Sequence, residues 1–61
     1  MLSNGEIVEL ENETSLVVLL FLNGRFTIEL DGAFIFSSKT WASFEKKVTE
    51  MIGIFNLTLV V

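Results

Sequence analysis

The hydrophobic and polar positions of this 61-residue chain change period twice. Leu16 to Leu22 are apolar without interruption, Arg25 to Leu30 alternate polar with apolar, and Ala33 to Phe36 are apolar again. Asn23-Gly24 and Asp31-Gly32 separate these runs. Both dipeptides favour the positive φ values of a two-residue type I′ turn. The pattern predicts three consecutive antiparallel strands, at 16–22, 25–30 and 33–36. "GEIVELE", residues 5–11, reads as an earlier strand that turns back at "ENET".

Beyond Phe36 the period lengthens. Trp41, Phe44, Val48, Met51 and Ile52 fall at i, i+3, i+7, i+10 and i+11, a stripe about 100° wide on an amphipathic helix. Ser37 or Ser38 offers an N-cap and Gly53 a stop. "IFNLTLVV", residues 54–61, then alternates as a closing strand. The expected fold class is α+β, one domain over residues 1–61: a small antiparallel sheet of consecutive hairpins packed against one helix, followed by a C-terminal strand.

Two-residue turns fix register, and register assigns faces. Phe21 faces Phe26, Leu19 faces Ile28 and Val17 faces Leu30, an apolar side suited to the helix stripe. The other side pairs Leu22 with Arg25, Leu20 with Thr27, Val18 with Glu29 and Leu16 with Asp31. The same rule at Asp31-Gly32 sets Phe34 beside Glu29 and Phe36 beside Thr27. Leu16, Val18, Leu20, Leu22, Phe34 and Phe36 then form an outer apolar patch crossed by a polar stripe of Arg25, Thr27, Glu29 and Asp31. A patch of that extent marks an interaction surface. Its partner is a second copy in a homodimer, a different protein, or both through a composite site.

Composition sharpens this. The chain is 51% hydrophobic with mean hydropathy +0.62, more apolar than a lone core of this length hides. Cysteine and histidine are absent, which excludes disulfides, zinc sites and thiolate chemistry. The N-terminus lacks the basic and apolar regions of a signal peptide, and the seven-residue apolar run is short of the ~20 needed for a membrane helix. A cytoplasmic protein without membrane contact is expected. The net charge is −4. Residues 1–36 hold six acids and one base, residues 37–61 two acids and three bases. Nucleic acid should be repelled and basic surfaces attracted.

With no His, Cys or Tyr, the usual bases and nucleophiles are missing, and no enzyme is expected. No cofactor is called for. Glu9 with Glu11, or Glu29 with Asp31, supplies carboxylates but not the many-oxygen spacing of a calcium loop. On a strand each pair projects from one face about 6.6 Å apart, similar to the phosphate repeat of a nucleic-acid strand. Such acids either imitate DNA or keep an apolar protein soluble. Trp41 and Phe44 suit a core, or a pocket at a dimer seam. Lys46 and Glu50 are spaced for an i, i+4 pair.

The chain from Val17 to Val61 resembles the small uracil-DNA glycosylase inhibitors of Bacillus podophages. The resemblance rests on "VVLLFLNGRFTIEL", on Phe44-Glu45 in the helix and on the close, "TEMIGIFNLTLVV". That family implies a dimeric, acidic DNA mimic in which two helices frame an apolar pocket for the residue that the glycosylase inserts into DNA. Carried over, Phe44 and Glu45 would sit at the pocket, with Trp41 one turn earlier as the other aromatic candidate, and Glu29 and Asp31 among the phosphate substitutes. The family's tyrosine-rich second strand has no tyrosine here, and the helix is about a turn longer. The expectation is a phage-encoded, homodimeric inhibitor of a host DNA-binding enzyme, uracil-DNA glycosylase. The alternative is a structural or adaptor protein that self-assembles, or docks a host protein such as RNA polymerase, through the apolar sheet face.

Overall fold

Two tight turns organise the first half of the chain. In the computed structural model, which describes residues 2–61, Asn23 and Gly24 have φ of 54° and 79°, and Asp31 and Gly32 have 50° and 85°. Both are type I′ geometries, and they join β2 (Leu16–Leu22), β3 (Arg25–Leu30) and β4 (Ala33–Ser38) as successive hairpins. β1 (Ile7–Glu11) precedes them and pairs with β2 from Ile7–Leu20 to Glu11–Leu16. The β2–β3 register is the one that the turn dictates: Phe21–Phe26, Leu19–Ile28 and Val17–Leu30 on one face, Leu22–Arg25, Leu20–Thr27 and Val18–Glu29 on the other.

The β3–β4 register departs from expectation. It begins as a two-residue turn requires, with Leu30–Ala33 and Glu29–Phe34, but a bulge between Ile28 and Glu29 then brings Phe36 opposite Ile28. Ile35 is the extra residue. A bulge sets two residues against one and re-aims every side chain beyond it. Phe36 is therefore not beside Thr27 on the outer face; it packs against the core, and Ser37 takes the place opposite Thr27.

The helix α1 spans Trp41–Phe55. Its N-cap is Thr40, whose hydroxyl accepts from Ser43 N–H at 3.4 Å, rather than Ser37 or Ser38, which belong to β4. Nor does Gly53 end it. The helix runs through Gly53 and stops at Asn56, which adopts the left-handed conformation (φ 54°, ψ 51°), while Leu57 N–H reaches Ile52 C=O at 3.3 Å. Asparagine tolerates that conformation, and the bond closes the helix end. The closing strand shrinks accordingly: β5 is only Thr58–Leu59 and pairs with β1.

One antiparallel sheet results, in the order β4-β3-β2-β1-β5, with α1 carrying the chain from one edge to the other: a single helix on a sheet of consecutive hairpins, α+β. The helix packs on one side only. Between helix and sheet lie Leu10, Val17, Leu19, Phe26, Ile28, Phe44, Met51 and Leu57, with Val8, Phe21, Leu30, Phe36, Trp41 and Val48 around them. Trp41 and Val48 of the predicted stripe are half-buried; Ile52 is exposed.

Candidate functional site: the outer face of the sheet

The face away from the helix is the site that the fold leaves open. Alternation along each strand sends Ile7, Glu9 and Glu11 of β1, Leu16, Val18, Leu20 and Leu22 of β2, and Arg25, Thr27 and Glu29 of β3 to this side. Phe34 joins them opposite Glu29, 64% exposed. The ladders order these residues in rows across the sheet. One row reads Glu9–Val18–Glu29–Phe34, the next Ile7–Leu20–Thr27–Ser37.

This arrangement brings Glu29 together with two acids that the sequence did not link to it. Glu9 and Glu11 on β1 and Glu29 on β3 flank the apolar strand β2, with Asp31 at the end of β3. Carboxylates on one strand stand about 7 Å apart, and the two rows are two strand spacings, about 9.5 Å, apart. β1 and β2 are neighbours only because "ENET" turns tightly, so the second row depends on a hairpin that lacks an Asn-Gly signal.

Asp31 has a structural role as well. Its Oδ1 accepts from Leu16 N–H at 2.8 Å, and its own N–H donates to Leu16 C=O at 2.8 Å, which ties the ends of β2 and β3. One carboxylate oxygen remains for a partner. Arg25, the only cation on this face among the described residues, donates to the Ser37 hydroxyl at 3.4 Å. Among the described residues the one ion pair lies elsewhere, on the helix, between Lys47 and Glu50 at 3.6 Å, not between Lys46 and Glu50.

The helical residues do not belong to this site. Phe44 is 2% exposed, and its ring stacks on Phe26 at 4.9 Å between centroids. Trp41 is half-buried, edge-on to Phe26 at 5.6 Å and tilted against Phe44 at 5.7 Å. Phe44 is therefore core rather than pocket wall in this chain: the β2–β3 register places Phe26 where its ring stacks, and Phe21 and Phe36 pack against the same core. Glu45 is exposed on the helix, on the opposite side of the sheet from Glu29. The five residues expected to meet one partner are thus not on one surface: Phe44 is core, Trp41 half-buried beside it, Glu45 on the helix, and Glu29 and Asp31 on β3 and its turn.

Asn12 stands in the "ENET" turn, and its side chain does more than the sequence indicates. Its Oδ1 accepts from Thr14 N–H and Ser15 N–H at 2.9 and 2.7 Å, turning β1 into β2, while its Nδ2 donates to Phe55 C=O at 2.9 Å. One side chain fixes both the acidic hairpin and the helix end. Asx turns of this kind are legible in "NETS", but the reach to Phe55 is not. The depression beside it, lined by Glu11, Asn12, Glu13, Thr14, Phe55, Asn56 and Thr58, is open to solvent.

Among the described residues no group of three or more acidic side chains is placed to hold a metal ion, and no helix is long and apolar enough to cross a membrane. Comparison with family models, with curated proteins and with solved structures finds no match to this chain.

Proposed function

We propose that the protein is an acidic DNA mimic that occupies the DNA-binding surface of a host enzyme, with uracil-DNA glycosylase, named by the family resemblance, as the first candidate. The observation that carries this reading is the outer face: Glu9, Glu11 and Glu29 in two rows beside an apolar strand, on the side the helix leaves bare, with Asp31 in the turn that follows β3. A DNA-binding groove is basic, and a base-flipping enzyme adds apolar contacts to its phosphate grip. Acids at strand spacing with leucine and valine between them complement both features.

A second copy is a poorer cover for this face. It brings one guanidinium, Arg25, to the three carboxylates of Glu9, Glu11 and Glu29, whatever the orientation, and unpaired buried charge is costly. In this reading the homodimer does not form through Leu16, Val18, Leu20, Leu22, Phe34 and Phe36, as the sequence suggested, and the acidic face stays free for the enzyme. An adaptor that docks a neutral protein is the alternative, favoured by the exposure of Ile7, Leu22 and Phe34.

Titration of the protein into a uracil-excision assay, at low and at high salt, tests the reading. Stoichiometric inhibition is expected, at about two chains per enzyme if the dimer is the active form, weakening as salt screens the carboxylates. No inhibition at large excess would remove the glycosylase. Binding that is indifferent to salt and to Glu29→Gln, but lost with Leu20→Lys, would favour the adaptor.

A further inference from the structure

We propose that the free edge of β4 is where a second copy of the chain pairs, antiparallel and about a two-fold axis, so that two sheets become one. β4 is the outermost strand of the sheet, and its six residues, Ala33 to Ser38, carry no charge and no proline. Sheet edges that stay single are blunted by lysine, proline or extreme shortness. The opposite edge follows that rule, since β5 has two residues. β4 is neither charged nor so short, its one blunting feature being the bulge at Ile35, and it exposes Phe34 and, at 41%, Ile35.

The backbone agrees with the side chains. Leu30–Ala33 is the hydrogen-bonded pair that closes the turn, so Glu29–Phe34 is the next, non-bonded pair. Phe34 thus turns its N–H and C=O away from β3, toward the free edge. An identical strand running the other way offers the matching donor and acceptor.

Charge selects a second copy as the occupant. A two-fold contact meets its own image, so the patch must not carry an excess of charge of one sign. The outer face fails that condition and the β4 edge satisfies it. In the paired sheet the two Glu29 residues are three strand spacings apart, about 14 Å, beyond the Debye length of about 8 Å at physiological salt. Both acidic faces remain open. The bulge at Ile35 adds local twist and keeps the shared ladder short, so dissociation on dilution is expected.

This pairing does not depend on the inhibitor reading, and its test uses no enzyme. Sedimentation across a wide concentration range should reveal a species of twice the 6.9 kDa chain mass that dissociates on dilution. Phe34→Pro and Ile35→Lys should each return it to the chain mass with the far-ultraviolet dichroism retained, whereas Leu20→Lys on the outer face should leave the dimer intact. In the unaltered protein, exchange of the Phe34 amide should slow as concentration rises, a readout that holds even if a variant fails to fold. A chain that stays monomeric, a Phe34 amide indifferent to concentration, or a dimer lost with Leu20→Lys but kept in both edge variants would overturn the proposal.

Discussion

The two faces of β2 differ little in composition and greatly in circumstance. Val17, Leu19 and Phe21 point to the helix; Leu16, Val18, Leu20 and Leu22 point away from it. Val17 and Leu19 are buried among Ile28, Met51 and Phe44, while Leu16 and Leu22 are exposed. Burial of a large apolar side chain contributes about 1.5–3 kcal/mol, so the inner row supports the fold. The outer row supports it little. Hydrophobicity alone therefore does not distinguish a residue that holds this protein together from one that is available to a partner; the side of the sheet does.

That contrast breaks first if stability is spread across both faces. Phe44→Ala should destabilise by about 3–5 kcal/mol, enough to unfold much of the population of so small a domain, because it leaves a cavity against Phe26 and Trp41. Leu20→Ala should shift the denaturation midpoint far less. Equal losses would mean that the outer face is packed in the free protein.

Asn12 comes next. Asn12→Ala removes the acceptor of Thr14 and Ser15 and the donor to Phe55, and should cost about 1–3 kcal/mol in denaturant unfolding. Asn12→Asp keeps the turn but loses the tie to Phe55, so its loss should fall between wild type and Asn12→Ala. If Asn12→Asp matches Asn12→Ala, the helix end rather than the hairpin carries the effect. Smallest is Lys47→Ala. The Lys47–Glu50 pair is partly exposed, and its removal should change stability by only a few tenths of a kcal/mol in thermal melts.

Much of this fold was legible. Asn23-Gly24 and Asp31-Gly32 allow few backbone paths, so they gave the hairpins and the β2–β3 register residue by residue. The misses have specific causes. Phe36 was assigned to the outer face because nothing in "AFIFSS" announces a bulge; a phenylalanine gains more against Ile28 and the helix than it would beside Thr27. Gly53 looked like a helix stop, yet Asn56 supplies the left-handed cap and Leu57, buried, anchors the chain beyond it. Two residues, Ile54 and Phe55, moved from strand to helix as a result.

The candidate site was legible by halves. Glu29 and its place between Val18 and Phe34 followed from turn register. Its grouping with Glu9 and Glu11 did not, because "ENET" leaves the first hairpin's register unspecified until Asn12 is seen to turn it. Phe44 and Glu45, taken together from a resemblance, separate in space: one is core and the other solvated.

The central claim is that the carboxylates of Glu9, Glu11 and Glu29 serve binding and not folding. Its most direct test is one variant measured two ways. Glu9→Gln, Glu11→Gln and Glu29→Gln combined should leave unfolding free energy within about 1 kcal/mol of wild type, since these exposed or half-exposed acids have no ion-pair partner among the described residues. The same variant should lose the salt-dependent inhibition of uracil excision. Full inhibition by the triple variant would contradict the account, as would a loss of inhibition that merely follows a loss of folded protein.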